Sequence, residues 1–142
     1  MPSSIATFNK FNLTVQDWLN GKTNYSADTF KAMLTDTLPL ATNHVYGDIS
    51  AGEMPNQGGY TTGGIVIPMS IANIGGLVTV TGNAVNPAWG GFGPGIGPFR
   101  YIVVYDFSAA TQTLQYWLDL LQEFTITADD FLTLGPAAFT LQ

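Results

Sequence analysis

Cysteine is missing from this 142-residue chain. That excludes disulfide frameworks and thiolate metal centres, and it makes the fold indifferent to redox conditions. Charge is scarce as well: Asp, Glu, Lys and Arg make up 10% of the residues, against about 25% in an ordinary soluble domain. Four bases, Lys10, Lys22, Lys31 and Arg100, face ten acids, for a net charge of −6. So few scattered bases cannot build the Lys/Arg patch that displaces counterions from phosphates, so nucleic acid is not an expected partner. Long apolar runs are missing too. No segment reaches the roughly 18 unbroken apolar residues of a membrane-spanning helix, and no membrane partner is expected. The start, Met1 to Thr7, has neither the basic region nor the apolar core of an export signal, so synthesis in a cytoplasm is the expectation.

What the chain does have is apolar bulk and glycine: 46% hydrophobic residues, 16 Gly and 8 Pro. Its length suits one domain over residues 1–142. A domain of that size buries roughly 70% of the surface its unfolded chain exposes. Much apolar bulk with little charge has two readings. The surface is covered by Thr, Asn, Gln and Gly, or part of it is apolar and covered by other subunits. Composition leaves both open.

One helix is expected near the start, where Phe8, Phe11, Val15, Trp18 and Leu19 recur at helical spacing. Ser3, Ser4 or Thr7 would cap it, and Asn20-Gly21 would stop it. Beyond Gly21 the pattern turns to strands. Thr29 to Leu34 puts Phe30, Ala32 and Leu34 on one face. Val45 to Ile49 reads as a short strand, and Ser50 to Gly64 as a long loop around Tyr60. Ile65 to Ile71 follows as a strand, with Pro68 pointing to an edge position or bulge, and Gly75-Gly76 punctuates a hairpin between Asn73-Ile74 and Leu77 to Thr81. Phe99 to Phe107 carries apolar residues on both faces, the mark of a central strand. Leu114 to Phe124 fits a returning strand and also a helical stripe. Phe124 to Thr127 and Ala138 to Leu141 read as closing strands, with Asp129-Asp130 in the turn between them. The expected fold is mainly β: an antiparallel β sandwich or partly closed barrel with one N-terminal helix.

The residues offer little reaction chemistry. His44 is the single histidine, and in Ala41-Thr42-Asn43-His44-Val45 it reads as a turn histidine without a nucleophile or orienting partner. No Gly-x-Ser-x-Gly elbow is present. The adjacent Asp129 and Asp130 read as solvated turn residues; Asp119 and Glu123 would meet only on a helix. Asp48 with Glu53 is too sparse for a calcium loop. Gly90 to Gly95 precedes a strand, whereas a phosphate-cradling loop must open a helix. Hence no catalytic residue, cofactor or metal ligand is assigned. Tyr25, Tyr60, Trp89, Phe92 and Trp117 are the rings that would stack on sugar in a glycan-binding module, although aromatic residues more often fill cores and interfaces. The Gly/Pro run Gly90 to Pro98 permits close backbone approach between subunits. With its flanks it supplies the candidate subunit interface: Trp89, Phe92, Pro94, Ile96 and Phe99.

Four stretches carry a family likeness: Phe8-Asn9-Lys10-Phe11, Ser26 to Thr35, the Gly-Tyr-Thr-x-Gly-Gly element Gly59 to Gly64, and Gly97-Pro98-Phe99-Arg100-Tyr101-Ile102-Val103-Val104-Tyr105-Asp106. In that order they resemble a family of small structural proteins from tailed bacteriophage particles. The resemblance implies a non-enzymatic virion component, most specifically a capsid decoration (cement) protein on the capsid exterior, with a tail or baseplate protein as the rival. It further implies the major capsid protein or other virion subunits as partners, and a homo-oligomer, with a trimer as the expected form.

Overall fold

The computed structural model describes residues 6–140. The fold is mainly β, sandwich-like and not a closed barrel. The long central hairpin organises it. Here β1 is Thr7–Lys10, α1 Thr14–Leu19, β2 Phe30–Thr35, β3 Ile65–Ile67, β4 Met69–Ile74 and β5 Leu77–Gly82. The chain continues with β6 Val85–Gly90, β7 Ile96–Asp106, β8 Leu114–Ile126, β9 Phe131–Leu134 and β10 Ala137–Thr140. A five-stranded sheet has the order β1-β8-β7-β2-β3, a three-stranded sheet β10-β5-β4, and β6 pairs with β9. All these pairings are antiparallel.

β7 sits at the centre of the large sheet because both its faces are apolar. Phe99, Ile102 and Val104 join the main core with Phe30, Ala32 and Leu34 of β2, Val80 of β5, Trp89 of β6 and Phe139 of β10. Tyr101, Val103 and Tyr105 join Phe11, Met33, Ile49, Leu114 and Trp117 in a second core on the opposite face. Each strand of this size that is buried on two sides contributes on the order of 1.5–3 kcal/mol per large apolar side chain. The register of β7 on β8 shifts near Arg100 and Tyr101. There Arg100 grips Asp119 through two hydrogen bonds, Nε to Oδ1 at 2.8 Å and an Nη donor to Oδ2 at 3.1 Å. Asp119 Oδ1 also accepts the Leu121 N–H, at a residue whose φ is 68°. The ion pair and the turned backbone together fasten this irregularity.

The expected N-terminal helix is shorter and later than the apolar spacing suggests. Phe8 lies in β1, opposite Leu118, because β8 is long enough to recruit an edge partner there. Thr7 belongs to that strand, and Ser3 and Ser4 lie outside the described residues. The helix buries Thr14 and Asp17, packs the half-buried Trp18 against the main core and leaves Leu19 exposed. Asn20-Gly21 does end it, with Gly21 at φ 73°. Val45 to Ile49 is a single bridge residue and a 3-10 turn, not a strand. Leu114 to Phe124 is strand throughout, continuous with Phe124 to Ile126, so the helical alternative does not apply. The hairpin at Gly75-Gly76 is present, with Ile74 opposite Leu77, and both glycines have positive φ.

Candidate functional site

The Gly/Pro loop faces inward, against this chain's own glycines. A Cβ on Gly58 would lie 1.8 Å from the Gly95 carbonyl oxygen, and one on Gly59 would lie 2.0 Å from that of Gly90. The Phe92 N–H donates to the Gly58 carbonyl. Two glycine runs, far apart in sequence, thus pack backbone to backbone, and the close approach expected between subunits is made within one molecule. The five candidate interface residues divide accordingly. Trp89, Ile96 and Phe99 are buried in the main core, so this conformation gives them no outer contact. They are corrected to core residues. Phe92, 66% exposed, and the exposed Pro94 remain at the surface. Of the rings considered for sugar stacking, Tyr25, Tyr60, Trp89 and Trp117 are buried, and their faces pack inside the protein.

The Gly59–Gly64 element builds a clasp around Glu53. Its carboxylate accepts hydrogen bonds from the hydroxyls of Tyr46 and Tyr60 and from the Gly63 N–H at 2.6 Å. The Tyr60 hydroxyl also accepts the Leu34 N–H. The Tyr105 hydroxyl donates to the Gly63 carbonyl at 2.7 Å, and its ring stacks on that of Tyr46. Burial, then the Glu53 hydrogen bond, pushes the Tyr46 and Tyr60 hydroxyls well above their ordinary range. Burial likewise raises Tyr105, to about 12. These hydroxyls stay protonated and donate. The arrangement fastens the 53–64 segment to β2 and β7.

His44 has an orienting partner that local sequence does not show. Its Nε2 lies 2.7 Å from Asp17 Oδ2, with the His side chain 31% exposed and the Asp side chain 3%. Lys22 Nζ is 3.9 Å from the other Asp17 oxygen. Asp17 orients the His44 ring through that nitrogen. Among the described residues no hydroxyl or thiol is hydrogen-bonded to that imidazole, so the dyad holds α1 to the 41–48 segment. Asp48 holds the same segment: its Oδ2 accepts the His44 and Val45 N–H groups, which pull its pKa down. Beside it lies an open cleft of about 290 Å³ lined by Leu38, Leu40, Asn43, Asp48 and Ile49.

A carboxyl pair closes the far end of the sheet. Asp106 is fully buried, and its Oδ1 accepts the Ser108 and Ala109 N–H groups. Its Oδ2 has no hydrogen-bond donor among the described residues. Burial, then the Asp28 carboxyl beside it, raises Asp106 to about 7. Of the remaining acids, Asp119 pairs with Arg100 rather than Glu123, and Asp129 sits in a turn at φ 68°. Among the described residues no three His, Asp or Glu side chains are grouped to hold a metal ion, and no helix is long and apolar enough to cross a membrane.

The surface itself is divided. From Met54 to Phe99, and again from Phe131 to Gln142, the chain carries no acidic or basic side chain. Those two stretches contain β3 to β6, β9 and β10. The three-stranded sheet and the β6–β9 pair are therefore free of charge, and every formal charge belongs to the rest of the molecule. Within those two stretches Ile71, Ile74, Leu77, Phe92 and Phe131 are exposed, and outside them Leu19, Leu38, Leu40, Phe107 and Leu121 are exposed as well. Compared with known protein families, curated proteins and solved structures, the chain matches none.

Proposed function

We propose that the chain is a non-enzymatic structural subunit of a tailed-bacteriophage particle, most specifically a capsid decoration protein on the outer shell. One observation carries the structural reading: large apolar side chains stand exposed on the molecule, Ile71, Ile74, Leu77, Phe92 and Phe131 among them in stretches of chain that carry no charge. A surface without charge that shows Ile, Leu and Phe is suited to being covered by protein. The ionisable clusters support the same reading, since Glu53, Asp17 and Asp119 each fasten segments of this chain to one another. The phage assignment comes from the resemblance of the Gly59–Gly64 and Gly97–Asp106 stretches. In that setting many copies with modest contacts each bind a shell tightly through avidity. Cryo-electron microscopy of the particle that carries the chain tests the reading. Density for the chain on the outer face of the capsid is the expected result. Density confined to the tail or baseplate overturns the decoration role, and a particle with no density for it overturns the virion role.

A further inference from the structure

Asp106 sits where a charge has no counter-ion. It pairs with Phe30 across β7 and β2, and directly opposite residues of an antiparallel pair share a face. Its side chain therefore points to the main-core side, where the Tyr25 ring stacks on Phe30. Asp106 is fully buried. Its Oδ1 accepts the Ser108 and Ala109 N–H groups, while Oδ2 is buried without a donor. Lys31, the base on β2, pairs with Tyr105 and lies on the other face, its Nζ 3.8 Å from the centre of the Phe107 ring. β8 offers the neutral Gln115, and the turn before it the neutral Thr113, whose carbonyl accepts the Asp106 N–H. The titratable groups that face Asp106 are Asp28 and Tyr25. The Tyr25 hydroxyl donates to Gln115 Oε1 at 2.6 Å and stays neutral, because burial, then Asp106 and Asp17, pushes it well above its ordinary range. Asp17 of α1 is itself paired with His44 and Lys22.

The two acids stand on either side of a joint. Asp28 closes the turn at residues 24–28, its Oδ2 accepting the Asn24 N–H. Asp106 ends β7 and opens the turn into β8. Between them Thr29 ties the two turns together. Its carbonyl accepts the Phe107 and Ser108 N–H groups at 2.8 and 3.3 Å, and its N–H donates to Ser108 Oγ at 2.7 Å. Among the described residues no third acidic or histidine side chain joins the two carboxyls, and two fall short of the six or more oxygens that a calcium ion takes. One proton is enough to give Oδ2 a partner and to remove the repulsion between the acids. We propose that Asp28 and Asp106 form a proton-operated latch: the joint at Thr29 is closed while Asp106 holds its proton and opens locally, with the rest of the sheet in place, when that proton passes to solvent. Opening lets the Asp106 carboxylate reach water and move away from Asp28. Burial, then Asp28, raises Asp106 from 3.8 to about 7 in the closed form. A group raised in this way holds the joint most firmly below its ordinary value, and the hold is lost as pH rises through the closed-form value.

Amide hydrogen exchange of the full chain, followed by NMR from about pH 5 to about pH 8 and corrected for intrinsic rates, tests the latch. The reporters are the N–H groups of Thr29 and Phe107; Val103, paired on both sides at the centre of β7, is the reference. In wild type, protection of both reporters is expected to fall at least about tenfold over that range. It should stay below that of Val103 and be insensitive to low urea, as a local opening requires. Asp106→Asn is neutral at every pH and should keep reporter protection level. Asp28→Asn removes the repelling neighbour and should shrink the fall. His44, a side chain of the kind that changes charge in this range, is common to all three chains and drops out of the comparison. If Asp106→Asn does not fold, wild type and Asp28→Asn decide. Level protection in wild type overturns the proposal, as does a fall that persists in Asp106→Asn or is undiminished in Asp28→Asn. Reporters that exchange only at the rate of Val103, with its urea dependence, overturn it too.

Discussion

Asp106 gives the folded chain a tighter hold on one proton. Its folded pKa, about 7, exceeds the ordinary value of 3.8 because burial and the Asp28 carboxyl disfavour the charged form. A group raised on folding stabilises the fold fully below its unfolded value, and that contribution disappears as pH rises through the folded value. Between pH 4 and 8 the wild type is therefore expected to lose stability that Asp106→Asn, neutral throughout, retains. The difference at pH 8 should reach about 1 kcal/mol or more, and denaturant titrations at several pH values measure it; parallel profiles would count against the pair. Asp48 and Asp119 have the opposite sign, since backbone donors and Arg100 respectively hold their carboxyls low, and the stability they add is lost as pH falls through their folded values. Glu53 makes a second residue-scale prediction. Glu53→Gln keeps the shape but weakens acceptance from Tyr46, Tyr60 and the Gly63 N–H, and should cost about 1–3 kcal/mol in thermal or chemical unfolding. These clusters are invisible along the sequence. His44 meets Asp17 across 27 positions and Tyr105 meets Gly63 across 42, and only the folded topology brings them together. The one local signal was Gly59–Gly64, whose glycines mark the place where backbone and clasp come close.

At the scale of the element, glycines divide by what surrounds them. Gly58→Ala must push a methyl into the Gly95 carbonyl, while Gly93→Ala, also at positive φ, meets nothing within 4 Å. The second change is expected to cost about 1–2 kcal/mol of backbone strain. The first should cost clearly more, by separating the loop at residues 57–60 from the Gly/Pro run. Equal melting temperatures for the two variants would show that the glycine-to-glycine contact carries no stability. The strands themselves were legible where their pattern was unambiguous. β7 is apolar on alternate faces, and the structure places it between two cores; β4 and β5 are joined by the Gly75-Gly76 signal. Patterns with two solutions were not legible. Trp117, Leu118 and Leu121 fit a helical stripe as well as a strand, and pairing with β7 decides for the strand. Phe8 and Phe11 fit a helix with Trp18, yet Phe8 gains more by joining the edge of β8, where its ring meets Tyr116 and Phe139. β9 is not legible in the sequence because Phe131-Leu132-Thr133-Leu134 is short and takes its register from β6.

On the scale of the whole molecule, burial distinguishes a residue that builds the monomer from one free to meet a partner. Trp89 and Phe92 are three positions apart at the mouth of the same loop, on opposite sides of the distinction. Trp89 packs near Tyr60 inside the main core, so Trp89→Ala should destabilise the free protein by about 3–5 kcal/mol. Loss of particle binding in that variant would then follow from loss of the fold. Phe92 is exposed, and Phe92→Ala should leave the unfolding free energy within about 0.5 kcal/mol of wild type. Combined with Phe131→Ala, at a second exposed ring, it should lower the occupancy of the chain on purified particles while the melting temperature stays close to that of wild type. Full occupancy in the double variant would remove both rings from the contact. It would leave the β4–β5 hairpin, with Ile71, Ile74 and Leu77 exposed, as the apolar surface for a partner to cover.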